Sequence, residues 1–287
     1  MLDTSRHIII VAGPTSSGKS DFAVDLALTC SGEIISSDSR QIYRGLDIGT
    51  GKITEEEMKG VPHHMLDICD ITESFSVKEF RDRALPIIDD ILTRGKTPIL
   101  CGGTGYYIDA VMYENTLPDT KITRPLEKEL QHHTTEELYE MVTKKDPKRG
   151  SAIDRHNRVR LIRALEIIET HGKVRELEKP TFRYDVEMYL LNPSKELLEK
   201  RVHMRLIKRF DAGMLAEMQS LIAQGYEIAT LAKRGIEYKW MATYLEGAIT
   251  FDELIEKLRI ATWQYAKRQR TWNKKYASFA KIVEVTK

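Results

Sequence analysis

Cysteine is scarce in this chain. Only Cys30, Cys69 and Cys101 occur in 287 residues. They are far apart, odd in number and not at metal-ligand spacing, so neither a disulfide framework nor a cysteine metal cage is expected, and a reducing cytoplasm suits them. Long apolar runs are missing too. No stretch approaches the roughly 20 residues that cross a bilayer, and the first residues lack an apolar signal core. A cytoplasmic protein without a membrane partner is expected. Net charge is nearly absent, a formal +1 although 30% of residues are charged. That balance hides a gradient: Lys and Arg crowd 144–163, 195–209 and 267–275, while acids dominate 55–57 and 67–90. A polyanionic partner on one face is therefore not excluded. Internal repeats and low-complexity segments are also lacking.

What is present begins at residue 13. Gly13, Pro14, Thr15, Ser16, Ser17, Gly18, Lys19 and Ser20 form a complete G-x-x-x-x-G-K-[ST] loop. It follows the apolar run Ile8–Ala12 and precedes a helix-like segment. The glycines let backbone N–H groups close around phosphate oxygens, and the helix aims its positive end at them. Lys19 adds charge and Ser20 can reach a magnesium ion. The loop leaves open which phosphate compound is held and whether phosphoryl transfer occurs.

Short β-rich runs at 8–12, 33–36, 98–101, 186–191 and 282–285 alternate with helical patterns. That alternation predicts an α/β fold, a P-loop NTPase-like parallel sheet with helices on both faces. Between about 114 and 170 the sequence is polar and helix-prone with no credible central strand, which reads as a helical insertion. The expected division is a core of 1–113 with 171–287 and an insertion of 114–170. From 194 to 275 the pattern is again helical, broken at Gly225 and near Gly235, with Ser194 as an N-cap.

Two further loops follow strands, at the edge where such sheets bind ligands. The first, Ser36–Thr50, carries Asp38, which has three open uses there: general base, magnesium ligand or helix cap. The second, Gly102-Gly103-Thr104-Gly105, implies close backbone approach or positive φ and offers the Thr104 hydroxyl. Adjacent His63 and His64 point in different directions on a strand and suit structural roles better than one shared metal. Arg160 and Arg163 lie three apart on one helical face, able to grip a phosphate backbone or simply to face solvent. Tyr265–Lys275 mixes bases, aromatics and amides, a composition suited to RNA phosphates and stacked bases.

Taken together, GPTSSGKS, SSDSRQIYRGLDIGTGK, PHHMLDI, GKTPILCGGTGYY, DPKRGSAID, RLIRALEI and AKRQRTW resemble, in order and over nearly the whole chain, the tRNA dimethylallyltransferases, also called tRNA isopentenyl transferases. The resemblance implies transfer of a dimethylallyl group from dimethylallyl diphosphate to N6 of adenosine 37 in tRNA, with magnesium. It implies an insertion that embraces the anticodon stem. Gly13–Ser20 would hold the donor's diphosphate, with magnesium at Ser20. Asp38 would be the general base, Arg205 would face the leaving group with Arg209 as fallback, and Thr104 would contact donor or target nucleotide. Asp38, Ser39, Arg40, Gln41, Thr104, Arg124, Val159, Arg160, Leu161, Ile162 and Arg163 would meet the tRNA. A monomer is expected.

Three places depart from the family's usual pattern. Arg209-Phe210 stands where Met-Leu is frequent, Glu237 where Gly precedes Tyr-Lys, and Trp263 where Thr-Arg-Gln is common. They bear on tRNA contacts rather than on the P-loop. Two rival readings are an adenylate isopentenyltransferase acting on free nucleotides and a small-molecule P-loop kinase. The extended basic segments count against the first, and the lack of an ATP-lid signature counts against the second. A noncatalytic RNA-binding module would leave Asp38 and the Lys19-Ser20 pair without a purpose.

Overall fold

A computed structural model describes residues 6–114, 126, 128–174 and 181–286. The chain divides into two compact units, Met1–Glu114 with Phe182–Lys287, and Asn115–Thr181. The first holds the strands β1 (His7–Ala12), β2 (Gly32–Ser36), β3 (His63–His64), β4 (Thr97–Gly102), β5 (Asp185–Pro193) and β6 (Lys281–Val285). They form one sheet of order β3-β2-β4-β1-β5-β6, and every neighbouring pair is parallel. The five expected runs are all strands, and the two-residue β3 adds to the edge of β2.

The unbroken apolar sequence of β1 reflects burial on both faces. Ile8, Ile10 and Ala12 pack with Phe80, Ala84, Ile88, Ile108 and Val111, which belong to α3 (Val77–Thr93) and α4 (Gly105–Met112), numbered after α1 (Lys19–Cys30) and the short α2 (Glu55–Met58). Ile9 and Val11 point the other way, onto Ala23, Val24 and Ala27 of α1. Period-2 alternation within an all-apolar strand thus assigns one helix layer to each face.

The helices of the second unit are α5 (Thr135–Lys145), α6 (Pro147–Ala152) and α7 (Arg158–His171), and its described residues contain no strand. Leu138, Val142, Leu161, Ala164, Leu165 and Ile168 make its core. Thr134 and Glu137 form a reciprocal capping box, Asp146 caps α6 and Asn157 caps α7, each supplying acceptors to otherwise orphaned N–H groups. The unit runs to Thr181, past the expected edge at 170, and α7 itself ends at His171.

Back in the first unit come α8 (Lys195–Asp211), α9 (Met214–Ala223), α10 (Ile228–Leu231), α11 (Ile236–Leu245) and α12 (Phe251–Asn273). Ser194 caps α8 through the Leu197 N–H, as its position predicts. These helices bury Leu206, Met218, Leu221, Tyr238, Met241 and Leu258 against Ile42, Tyr43, Leu46 and Ile71. The long loop after β2 is thereby held against a second core. No described helix is long and apolar enough to cross a membrane.

One buried carboxylate ties the sheet's lower edge together. Glu33 of β2 accepts hydrogen bonds from Arg94 just after α3, from Lys96 before β4 at 2.7 Å and from His64 of β3 at 2.8 Å. Arg94 foremost, then Lys96 and His64, hold its carboxyl far below the usual carboxylate range against the opposing effect of burial. A carboxyl depressed on folding stabilises the protein above its ordinary value of 4.5, and that stability is lost as pH falls toward the folded value. Glu33→Gln should therefore cost about 2 kcal/mol near neutrality, and its deficit relative to wild type should shrink as pH drops below about 4.5. Thermal unfolding across this range reads the difference, and a deficit independent of pH would refute the assignment.

Candidate active site

The loop after β1 is shaped by contacts that only glycine tolerates. A Cβ on Gly13 would lie 2.8 Å from Ser17 Oγ. Ser16 and Gly18 take left-handed φ of 63° and 87°, and the Ser17 N–H closes the loop on Pro14 O at 3.2 Å. Gly18 stands at the N-cap of α1 and supplies no side-chain acceptor. The first N–H groups of α1, unpartnered within the helix by geometry, are thereby left to an external anion. Desolvation, with Arg205 adding to it, lowers the affinity of Lys19 for its proton. Ser20 shares the same cleft wall.

Two more loops meet this cradle because β2, β4 and β1 run parallel. The Ser37 N–H donates to Cys101 O at 2.8 Å, and the Thr104 N–H donates to Ser37 O at 3.2 Å. Thr104 Oγ1 accepts the Ser39 N–H at 3.1 Å. Asp38 Oδ1 accepts the Arg40 N–H at 2.9 Å within a turn that no helix directly follows, so of its three expected uses the helix cap is not realised. Gln41 donates to Gly51 O at 3.0 Å, while Arg40 is exposed. The glycines after β4 serve close approach, since none has positive φ. A Cβ would lie 2.3 Å from Ser37 Oγ at Gly102, 2.2 Å from Gln269 Nε2 at Gly103 and 2.1 Å from Trp272 Nε1 at Gly105.

On α8, Arg201, Arg205 and Arg209 recur every four residues and so form one stripe. Arg201 donates to Ser17 O at 2.9 Å. Arg205 reaches Thr15 Oγ1 at 3.4 Å and Gly51 O at 3.2 Å. Arg209 holds Gly49 O at 3.2 Å and Thr50 O at 3.1 Å. Burial and then Arg209 bring Arg205 down to about 10, against the opposing effect of Glu237 and Asp38. Two departures from the family pattern turn out to meet: Arg209 pairs with Glu237 at 3.0 Å. Trp263 packs against the core of Leu198, Val202 and Ala266.

Thr15, Lys19, Ser20, Asp38, Gln41 and Arg205 are among the residues that line the resulting cleft, which opens to solvent. Asp38 is the one carboxylate in its described lining, against Lys19 and Arg205. His63 also faces it, bonded through Nδ1 to Val61 O at 2.8 Å and shifted by burial toward its neutral form, whereas His64 turns to Glu33. Ile34, Ile53 and Leu66 give the cleft an apolar side.

Several contributors were given no role in the cleft by the sequence reading, although Tyr265 and Gln269 belong to the segment it marked for RNA. Tyr265 lines the cleft, its hydroxyl pushed up to about 12 by burial and then by Asp38. Glu217 accepts the N–H groups of Asp47, Ile48 and Gly49 at 3.0, 2.6 and 3.0 Å and the Tyr238 hydroxyl at 2.6 Å, fixing the loop that Arg205 and Arg209 grasp. Gln269 bonds two of the loops. It shares the buried stripe of α12 with Leu254, Leu258 and Ala266, and an amide at such a position is a legible signal. Farther along α12, half-exposed Trp272 lies under Lys275 Nζ, 4.0 Å from its ring centroid, within the basic and aromatic segment marked for RNA.

The remaining candidates belong to the second unit. At the start of α7, Val159 is 77% exposed, Arg160 is exposed, and Arg163 makes an i, i+3 pair with Glu166 at 3.4 Å. Leu161 is buried in the unit's core and Ile162 half-buried, so their side chains are turned from the surface that the arginines occupy. Arg124 lies outside the described residues.

The family model for IPP transferases matches residues 41–276. Among curated proteins, the chain is 40% identical over 280 residues to a tRNA dimethylallyltransferase of Bacillus pumilus, covering 95% of this chain and 88% of that one. A tRNA dimethylallyltransferase of Exiguobacterium is 38% identical over 269 residues, with 92% and 86% covered. Among solved structures, the full-length tRNA isopentenylpyrophosphate transferase of Bacillus halodurans aligns with a TM-score of 0.72 at 38% identity, covering 97% of this chain and 90% of that one. A eukaryotic dimethylallyltransferase acting on tRNA aligns with a TM-score of 0.84 at 27% identity, covering 97% and 74%.

The tightest fit in the site gives a direct test of the arginine stripe. Gly51 has φ of 60°, and a Cβ there would lie 2.0 Å from Arg209 Nη2 and 2.4 Å from Arg205 Nη2. Gly51→Ala should displace both guanidiniums and weaken binding of inorganic diphosphate by about 10-fold, the cost of one charge-assisted hydrogen bond. Calorimetry measures this, and an unchanged affinity would show that the stripe does not serve the anion.

Proposed function

The chain belongs to the IPP transferase family, and on that footing we propose that it transfers the dimethylallyl group of dimethylallyl diphosphate to N6 of adenosine 37 in tRNA, releasing diphosphate. The observation that carries this reading is the convergence of three strand ends on one cleft. The P-loop cradle, Arg205 and Asp38 all line it, with an apolar side between them for a short prenyl chain.

In this reading the P-loop is a leaving-group clamp. As the allylic C–O bond breaks, charge gathers on the diphosphate, and the N–H groups of α1, Lys19 and Arg205 lie where that charge develops. Asp38 holds the adenine N6 amine and accepts its proton as the N–C bond forms. Thr104 and Ser39, already hydrogen-bonded to one another, border the acceptor side with Arg40 and Gln41. The target base costs little to extract from a single-stranded loop. Ser20, a hard oxygen donor beside the cradle, suits magnesium, whose other positions phosphate oxygens and water can fill without a carboxylate cage. Bound there, the ion would neutralise diphosphate charge. Arg124 and the first turns of α7, Val159–Arg163, serve the anticodon stem, Arg160 and Arg163 contributing charge while Leu161 and Ile162 hold them against the unit's core. The protein acts as a cytoplasmic monomer.

The deciding assay supplies labelled dimethylallyl diphosphate and magnesium with unmodified tRNA bearing adenosine at 36 and 37, beside AMP, ATP and a 37-substituted tRNA. Label should enter only the adenosine-37 tRNA. Label on AMP or ATP instead would move the activity to free nucleotides. Asp38→Ala should lower turnover about 100-fold while diphosphate binding persists; near-normal turnover would remove Asp38 as the base. Arg160→Ala combined with Arg163→Ala should raise the Michaelis constant for tRNA and flatten its salt dependence. If the salt slope is unchanged, both arginines merely face solvent.

A further inference from the structure

We propose that Gln269 is a positioning residue of this reaction, a carboxamide strut that sets the distance between the diphosphate cradle and the loop carrying Thr104. The proposal rests on the function given above and adds a part to it. Gln269 Oε1 accepts the Thr15 N–H at 2.7 Å, and Nε2 donates to Gly103 O at 2.9 Å. Because Thr15 N–H can only donate and Gly103 O can only accept, the amide has one workable orientation.

Each end of the strut leads into the site. Thr15 also takes the Arg205 guanidinium on its hydroxyl. Gly103 is followed by Thr104, whose Oγ1 accepts the Ser39 N–H next to Asp38. A short bonded path thus runs from cradle to candidate base: Thr15, Gln269, Gly103, Thr104, Ser39. Gly103 has no room for a Cβ, which would lie 2.2 Å from Nε2, so the strut and this glycine require each other.

Stability alone gives a weak reason for an amide at this place. Gln269 is only 7% exposed, and the buried positions that precede it on its helix are filled by leucine and alanine, with buried Asn273 one turn on. A buried carboxamide is costly unless both ends are bonded. Here both ends are bonded, to the two loops whose separation governs how the donor carbon meets the acceptor nitrogen. A misplacement of about 1 Å in such geometry can cost about 100-fold in rate.

The test compares Gln269→Leu, which loses both bonds, with Gln269→Glu, which sets a carboxylate oxygen against the Gly103 carbonyl, and with Gly103→Ala, which attacks the contact from the other side. For each, kcat, the Michaelis constants, Tm and the affinity for inorganic diphosphate are measured beside wild type. Expected is a fall in kcat of about 100-fold with the Michaelis constant for tRNA and the diphosphate affinity little changed. The double variant Gly103→Ala, Gln269→Leu should be no slower than its worse parent. A lowered Tm with wild-type kcat, or losses that multiply in the double variant, would overturn the strut. Should Gln269→Leu fail to fold, the near-isosteric Gln269→Glu and Gly103→Ala carry the same comparison. A wild type that prenylates no acceptor overturns the reaction itself, whereas an active wild type with equally active variants overturns only the role of Gln269.

Discussion

The parallel pairing of β1 with β4 and of β4 with β2 is the constraint on which the rest of the molecule depends. Its register sets Ala12 beside Gly102 and Ser36 beside Cys101, so three strands end in one row and release their loops at one edge. Both faces of these strands are apolar and must be covered, by α1 on one side and by α3 and α4 on the other. The carboxyl edge is where the backbone leaves that enclosure, and there its N–H groups can serve a ligand.

At that edge the protein concentrates positive charge and organises backbone dipoles around it. Lys19 and Arg205 are both pushed toward their neutral forms by desolvation, an unfavourable arrangement that a bound anion would relieve. The carbonyls of Gly49, Thr50 and Gly51 are turned onto the guanidiniums, while the N–H groups of Asp47, Ile48 and Gly49 are taken up by Glu217. One loop is thus clamped from both sides, its acceptors by α8 and its donors by α9. Such preorganisation lets a site stabilise developing charge without rearranging during the reaction.

Arg209 and Glu237 show how tertiary contact changes the meaning of individual residues. Each stands where the sequence departs from the pattern expected from the family resemblance, and each alone would place an unbalanced charge beside the cleft. Paired at 3.0 Å, they compensate one another, and Glu237 also favours the charged form of Arg205.

Much of the fold and the core of the site could be read from local sequence, because short-range spacing carries them. The eight residues of the P-loop, the strand before it and the helix after it are contiguous. So are the apolar runs that became strands and the cap at Ser194. Asp38 and Thr104 were legible as polar groups just past strand ends. What no local pattern discloses is long-range pairing: Arg209 with Glu237, Glu217 under the 47–49 loop, Leu161 turned into a core rather than toward RNA, and Gln269 bridging two loops 254 and 166 residues away in sequence. Sequence alone determined which backbone segments can hold phosphate and which face of each strand is buried, since both follow from neighbours along the chain. Only the tertiary structure decided which side chains hold those segments at working distance, because hydrogen bonds and ion pairs depend on separations in space that the packed sheet and helices, not the order of residues, impose.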